Sequence, residues 1–110
     1  MRELSILEEQ LLDEYFRCER NLKAQMAYLE ENAVHGYISH KKIKERDYYY
    51  LQRRDGKHIV SKYIPKNVVP LLSQKIEERK KWQKSIKNLK RDMQSIERIL
   101  GKECIDERRN

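Results

Sequence analysis

Glycine and proline are scarce, three and two in 110 residues. That leaves no Gly-rich loop to cradle a phosphate and few points at which a helix must break. Aromatic bulk outside tyrosine is thin, with one Phe and one Trp against seven Tyr, and the 38% hydrophobic content is low for a thick core. No run approaches the ~18–20 apolar residues of a membrane span. The opening Met1-Arg2-Glu3 does not read as a signal peptide, so the expectation is a cytoplasmic chain with no membrane contact. Cysteine is limited to Cys18 and Cys104, without CxxC spacing or a histidine in a metal-ligand pattern nearby. On paired helices the two would lie roughly 20 Å apart at about 1.5 Å per residue, too far for a disulfide, so both are expected as free thiols.

Charge is what the chain has in quantity: 39% of residues, with 25 Lys+Arg against 18 Asp+Glu and a formal net charge of +7. It is laid out in three blocks. Residues 1–34 carry four basic and eight acidic side chains, residues 35–66 nine and three, and residues 67–110 twelve and seven. All three histidines, His35, His40 and His58, fall in the middle block.

The first block, 1–34, reads as one helix, with no Gly or Pro between Leu4 and Ala33. Leu4, Leu7, Leu11, Tyr15, Cys18, Leu22, Met26, Leu29 and Ala33 recur at spacings of 3, 4 and 4, an 11-residue repeat whose stripe runs almost straight along the helix. Ile6, Leu12 and Phe16 widen it near the N-terminus, while Asn32 and Gly36 supply stop signals. The last block predicts a second helix over 67–101. Asn67 stands as its N-cap, Pro70 falls in its first turn, and Gly101 ends it. Its heptad seam is Trp82, Ile86, Leu89, Met93, Ile96 and Leu100, and Lys75 and Arg79 interrupt the upstream extension. Residues 102–110 read as a polar, frayed tail.

The middle block, 36–65, predicts a three-stranded antiparallel meander. Asp55-Gly56 as a two-residue type I′ turn would join strands at 47–54 and 57–64, placing Leu51 opposite Val60 and Tyr48 opposite Tyr63. A looser turn at Glu45-Arg46 would bring in 37–44. Alternation then sorts two faces. Ile38, His40, Lys42, Tyr49, Leu51, Arg53, His58, Val60, Lys62 and Ile64 make one, and its aliphatic members mark it for packing. Tyr37, Ser39, Lys41, Ile43, Tyr48, Tyr50, Gln52, Arg54, Lys57, Ile59, Ser61 and Tyr63 make the other. The whole is an α+β domain of residues 1–110: a long, coiled-coil-like antiparallel helical hairpin with the meander inserted. The helices can pair within one chain or, as a homodimer, between two; pairing within the chain is the working expectation. In that register Leu4 faces the region of Leu100, and the acidic first helix flanks Lys80, Lys81, Lys84 and Lys87.

Catalysis has no foothold here. No Ser/His/Asp or Cys/His set stands out, and Glu8-Glu9, Glu30-Glu31 and Glu77-Glu78 read as solvated helix carboxylates. The three histidines lack a carboxylate at a ligand-like spacing. The expectation is a non-enzymatic chain with no metal, no cofactor and no small-molecule substrate. Chemistry concentrates instead on the second sheet face, where cations alternate with tyrosines. Cations neutralise phosphates and release counterions, and flat rings stack on bases. The expected contact residues are Lys41, Tyr48, Tyr50, Gln52, Arg54, Lys57, Ser61 and Lys62, and the partner a nucleic acid or a nucleoprotein complex. The plainer account makes the tyrosines ordinary strand residues. Lys80, Lys81, Lys84, Lys87, Lys90 and Arg91 form a second basic patch, for phosphate or for the acidic helix.

The run Asp47-Tyr48-Tyr49-Tyr50-Leu51-Gln52-Arg53-Arg54-Asp55-Gly56-Lys57, followed by Ile59-Val60-Ser61-Lys62-Tyr63-Ile64, resembles a module in small bacterial and mobile-element proteins, where such a meander precedes a long charged helix. More loosely it is similar to the three-stranded arm-type DNA-binding domain at the front of tyrosine recombinases. These resemblances imply a phage, plasmid or transposon origin and a DNA-contacting sheet. The alternative function is a protein inhibitor or adaptor of the kind mobile elements encode, anti-CRISPR-like, which docks on a nuclease or another protein.

Overall fold

Ser5 and Glu8 start the first helix by bonding each other's backbone. The Glu8 N–H donates to Ser5 Oγ and the Ser5 N–H to Glu8 Oε1, both at 3.1 Å. This capping box satisfies two donors that a helix N-terminus otherwise leaves open. Behind it the computed structural model, which describes residues 3–109, runs α1 (Ile6–Asn32), β1 (Tyr37–Ile43), β2 (Arg46–Asp55), β3 (His58–Ile64), a 3-10 turn (Lys66–Val68), α2 (Val69–Leu100) and α3 (Lys102–Arg109). The class is α+β, with an antiparallel meander between the first helix and the long second one. Two expectations change at the joins. Asn67 sits inside the 3-10 turn, whose N-cap is Pro65, and so does not cap α2. Residues 102–109, expected as a frayed tail, are helical.

The described residues divide into two compact units. One takes the residues up to Glu30 and those from Trp82 onward. Within it α1 and α2 run antiparallel: the Tyr28 and Trp82 rings lie 5.2 Å apart, while Leu12 and Tyr15 cluster with Ile96 and Leu100. Pairing is therefore within the chain. α3 completes the cluster with Ile105, which is 2% exposed. That burial is the physical reason the tail is ordered: one isoleucine among Lys, Glu and Arg fills the gap that two helices leave. Arg108 makes a two-pronged contact with Glu9 at 2.8 and 3.0 Å, and Arg109 donates to Glu19 at 2.6 Å. The α2 lysines, left open in the sequence between phosphate and the acidic α1, make no ion pair with α1 among the described residues. Lys80 reaches Glu77 on its own helix, and Lys81, Lys84 and Lys87 have no ion pair among the described residues. The repeat on α1 is covered only in part, since Leu7 and Met26 stay exposed. Cys18 and Cys104 are free thiols, and burial pushes the Cys18 thiol up from its ordinary value.

The other unit is Glu31–Lys81. Its sheet has the order β1-β2-β3. The β2–β3 register, Arg53 with Val60 and Asp55 with His58, makes Gly56-Lys57 the two-residue turn, so the ladder is displaced by two residues from the expected one. Only Gly56 has positive φ there, +62°, the pattern of a type II′ turn with glycine first. The type I′ pattern appears at the other hairpin, where Lys44 (φ +50°) and Glu45 (φ +65°) form the turn and Arg46 pairs with Ile43. Gly36 enters β1 at φ +104°, against the backbone of β2; a Cβ on it would stand 2.3 Å from the Gln52 carbonyl oxygen. Ile64 and Ile76 are the buried residues of this unit.

Candidate functional site

Because the ladder moves by two residues and side chains alternate with period two, the faces survive the correction. On the face of interest the pairings stack five rows along β2. Ile43 stands opposite Arg46, then Lys41 opposite Tyr48. Ser39, Tyr50 and Tyr63 make the third row, and Tyr37, Gln52 and Ser61 the fourth. Arg54 and Ile59 make the fifth. All three strands overlap only between Tyr49 and Gln52, so the outer rows belong to two-stranded ribbons that extend in opposite directions. Cations therefore occupy both ends of the face, and neutral aromatic and polar side chains its centre.

Seven of the eight expected contact residues fall together. Lys41, Tyr48, Tyr50, Gln52, Arg54 and Ser61 lie on this face, and Lys57 in the turn beyond Arg54. Lys62 does not: it pairs with Leu51 on the opposite face, as alternation requires. Arg46 belongs to the site and was overlooked. Assigning it to a turn hid it, although counting back by two from Tyr50 and Tyr48 reaches it directly.

Within the rows, Lys41 Nζ lies 5.4 Å above the Tyr50 ring centroid, a cation–π distance. The Tyr50 and Tyr63 rings meet edge to face at 6.1 Å. Tyr48, Tyr50 and Gln52 are half-buried, whereas Tyr37 is 55% and Tyr63 57% exposed. The opposite face holds both strand carboxylates. Asp47 is bonded to His40 at 2.7 Å, with His40 stacked on Tyr49 at 4.8 Å, and Asp55 pairs with His58 in the ladder. The two strand carboxylates are thus sorted to one side, while Glu45 stands in the β1–β2 turn. Among the described residues, Lys41, Arg46, Arg54 and Lys57 have no ion pair with a carboxylate. No group of three or more His, Cys, Asp or Glu among the described residues is placed to hold a metal ion. None of their helices is long and apolar enough to cross a membrane.

Residues 2–74 match a family characterised as a domain of unknown function, DUF6788. The chain belongs to this family. The DUF6788 match takes in α1, the whole meander and the start of α2, and so contains every residue of the five rows. No curated protein and no solved structure matches the chain.

Proposed function

We propose that this DUF6788 chain is a non-enzymatic nucleic-acid-binding protein whose contact surface is the Lys41–Tyr50–Arg54 face of the sheet. One observation carries the reading: both strand carboxylates lie on the far side, and the exposed cations of this face have no carboxylate partner among the described residues. Such cations neutralise phosphates and release counterions on binding. Labelled DNA and RNA titrated at rising salt test it. The logarithm of the association constant is expected to fall linearly with the logarithm of salt, at about 0.7–0.9 per phosphate contacted. Replacing Arg54 and Lys57 together by Ala should flatten that slope. Failure to retain any nucleic acid at ~50 mM salt overturns the proposal.

A second reading draws on the apolar members of the same face. Ile43 and Ile59 are exposed at its two ends. Docking on a protein, as an inhibitor or adaptor, would cover them. Capture of a partner from nuclease-treated lysate that is lost on Ile43→Asp or Ile59→Asp, with no nucleic-acid binding, would favour this reading.

A further inference from the structure

We infer that the ligand of this face is a single-stranded nucleic acid, about four nucleotides of which lie along β2; this rests on the nucleic-acid reading above. The inference comes from what fills the centre of the face. A duplex keeps its bases stacked inside and offers a protein its phosphates and groove edges. Rings on a sheet have nothing to stack on there. A single strand can splay its bases onto them.

The geometry fits such a strand. Tyr37 and Tyr63, the two open rings, lie on opposite edge strands and two residues apart in register. Two strand spacings of about 4.8 Å and a rise of about 3.4 Å per residue separate their backbone positions by about 12 Å. Between them run Gln52, Ser61 and Ser39, whose side-chain polar groups have no hydrogen-bond partner among the described residues. They are free to meet base edges. Tyr50 braces Tyr63 edge-on from below the Lys41 ammonium. Cations sit beyond this centre on both sides, Lys41 and Arg46 at one end and Arg54 with Lys57 at the other. Arg46 and Arg54 are eight residues apart, about 27 Å along β2. That is about eight nucleotides at the 3.4 Å rise of a stacked strand, and about half as many once the bases separate and the backbone extends.

The test compares fluorescein-labelled DNA and RNA hexamers of mixed sequence with a 12-base-pair duplex by fluorescence anisotropy at ~50 mM salt, using the full chain. The hexamers are expected to bind at least tenfold more tightly than the duplex, with a salt slope of about −2 to −3 for three or four phosphates. Tyr37→Ala and Tyr63→Ala should each weaken hexamer binding about tenfold, and Tyr37→Phe and Tyr63→Phe should keep it, since the ring and not the hydroxyl stacks. Both tyrosines are more than half exposed, so the variants keep the fold, and circular dichroism of each checks this. Duplex binding as tight as hexamer binding, or Ala variants that bind like the parent, overturns the single-strand inference. In either case sensitivity to Arg54→Ala and Lys57→Ala would leave the cationic-face reading standing. Binding to neither form overturns both.

Discussion

Arg79 donates from Nη1 to the carbonyl oxygen of Val34 at 2.7 Å and to that of Gly36 at 3.3 Å. These carbonyls belong to the segment between α1 and β1, so one guanidinium on α2 ties down the entry to the sheet. A charge in the upstream continuation of a heptad seam reads as a packing flaw in sequence; here it replaces packing with hydrogen bonds. Bonds from a charged donor to such half-buried acceptors are worth about 1.5–3 kcal/mol each. Arg79→Ala is expected to lower unfolding free energy by about 2–3 kcal/mol in urea denaturation. Arg79→Lys should recover only part, because one ammonium on a flexible stem does not reproduce the fork of a guanidinium.

Gly36→Ala acts on the same segment by a different route. Its Cβ would meet the Gln52 carbonyl oxygen at 2.3 Å, an atom of the central strand that cannot swing aside, and φ +104° is itself unfavourable for alanine. Both effects displace β1 from β2. The expected outcome is loss of amide-exchange protection across Tyr37–Ile43 and a fall in stability of about 3 kcal/mol or more.

Lys44 and Glu45 hold positive φ without being glycine, at a cost of about 1 kcal/mol each relative to residues suited to that region. The pair Lys44→Asn and Glu45→Gly supplies the residues that a type I′ turn favours. The double variant should gain about 1–2 kcal/mol in denaturant unfolding, with no change in β1–β2 register.

These turns also show how far the letters carry the fold. Asp55-Gly56 announced a hairpin, and a hairpin is there. The dipeptide could not say which two residues turn, because Gly56 fits the first central position of one turn type as well as the second of another. The resulting slip is even, so Ser61 and Tyr63 of β3 keep their face in common with Tyr50 and Arg54, whereas an odd slip would have turned them to the other side. The helix seams were legible where they are heaviest, at Tyr15, Ile96 and Leu100. Ser5 and Glu8 spell a capping box that sequence alone could have yielded. The partners of Arg79 could not be read, since Val34 and Gly36 offer backbone carbonyls and leave no trace in side-chain pattern. Nor could α3 be, for its single buried Ile105 sets no period.

Ile105 makes that last point testable. It is almost fully buried against a cluster that includes Leu12, Tyr15 and Leu100. Ile105→Ala removes most of the apolar area that holds α3, at a cost of about 2–4 kcal/mol, whereas Lys102→Ala, an exposed change on the same helix, should stay within about 0.5 kcal/mol. Thermal unfolding of the two variants separates a docked helix from a frayed tail: a tail would leave both melting like the parent.

The ion pairs of α3 predict how stability follows pH. The hydrogen bonds from Arg108 hold the Glu9 carboxyl below its ordinary pKa, and Arg109 does the same to Glu19. Each carboxylate therefore binds its proton less readily in the folded chain than in the unfolded one. What the pairs add to stability is present above the ordinary carboxylate range of about pH 4–5 and fades as pH falls through the lowered values. Arg108→Gln combined with Arg109→Gln should lower the urea midpoint at pH 7 and differ less from the parent toward pH 2, as falling pH adds protons to the carboxylates. Lys84→Gln removes an exposed cation that has no ion pair among the described residues, and its small effect should not follow this profile. An Arg variant whose deficit is as large at pH 2 as at pH 7 would mean that Arg108 and Arg109 hold α3 by packing, as Arg109 does over the Phe16 ring at 5.4 Å, and not by charge.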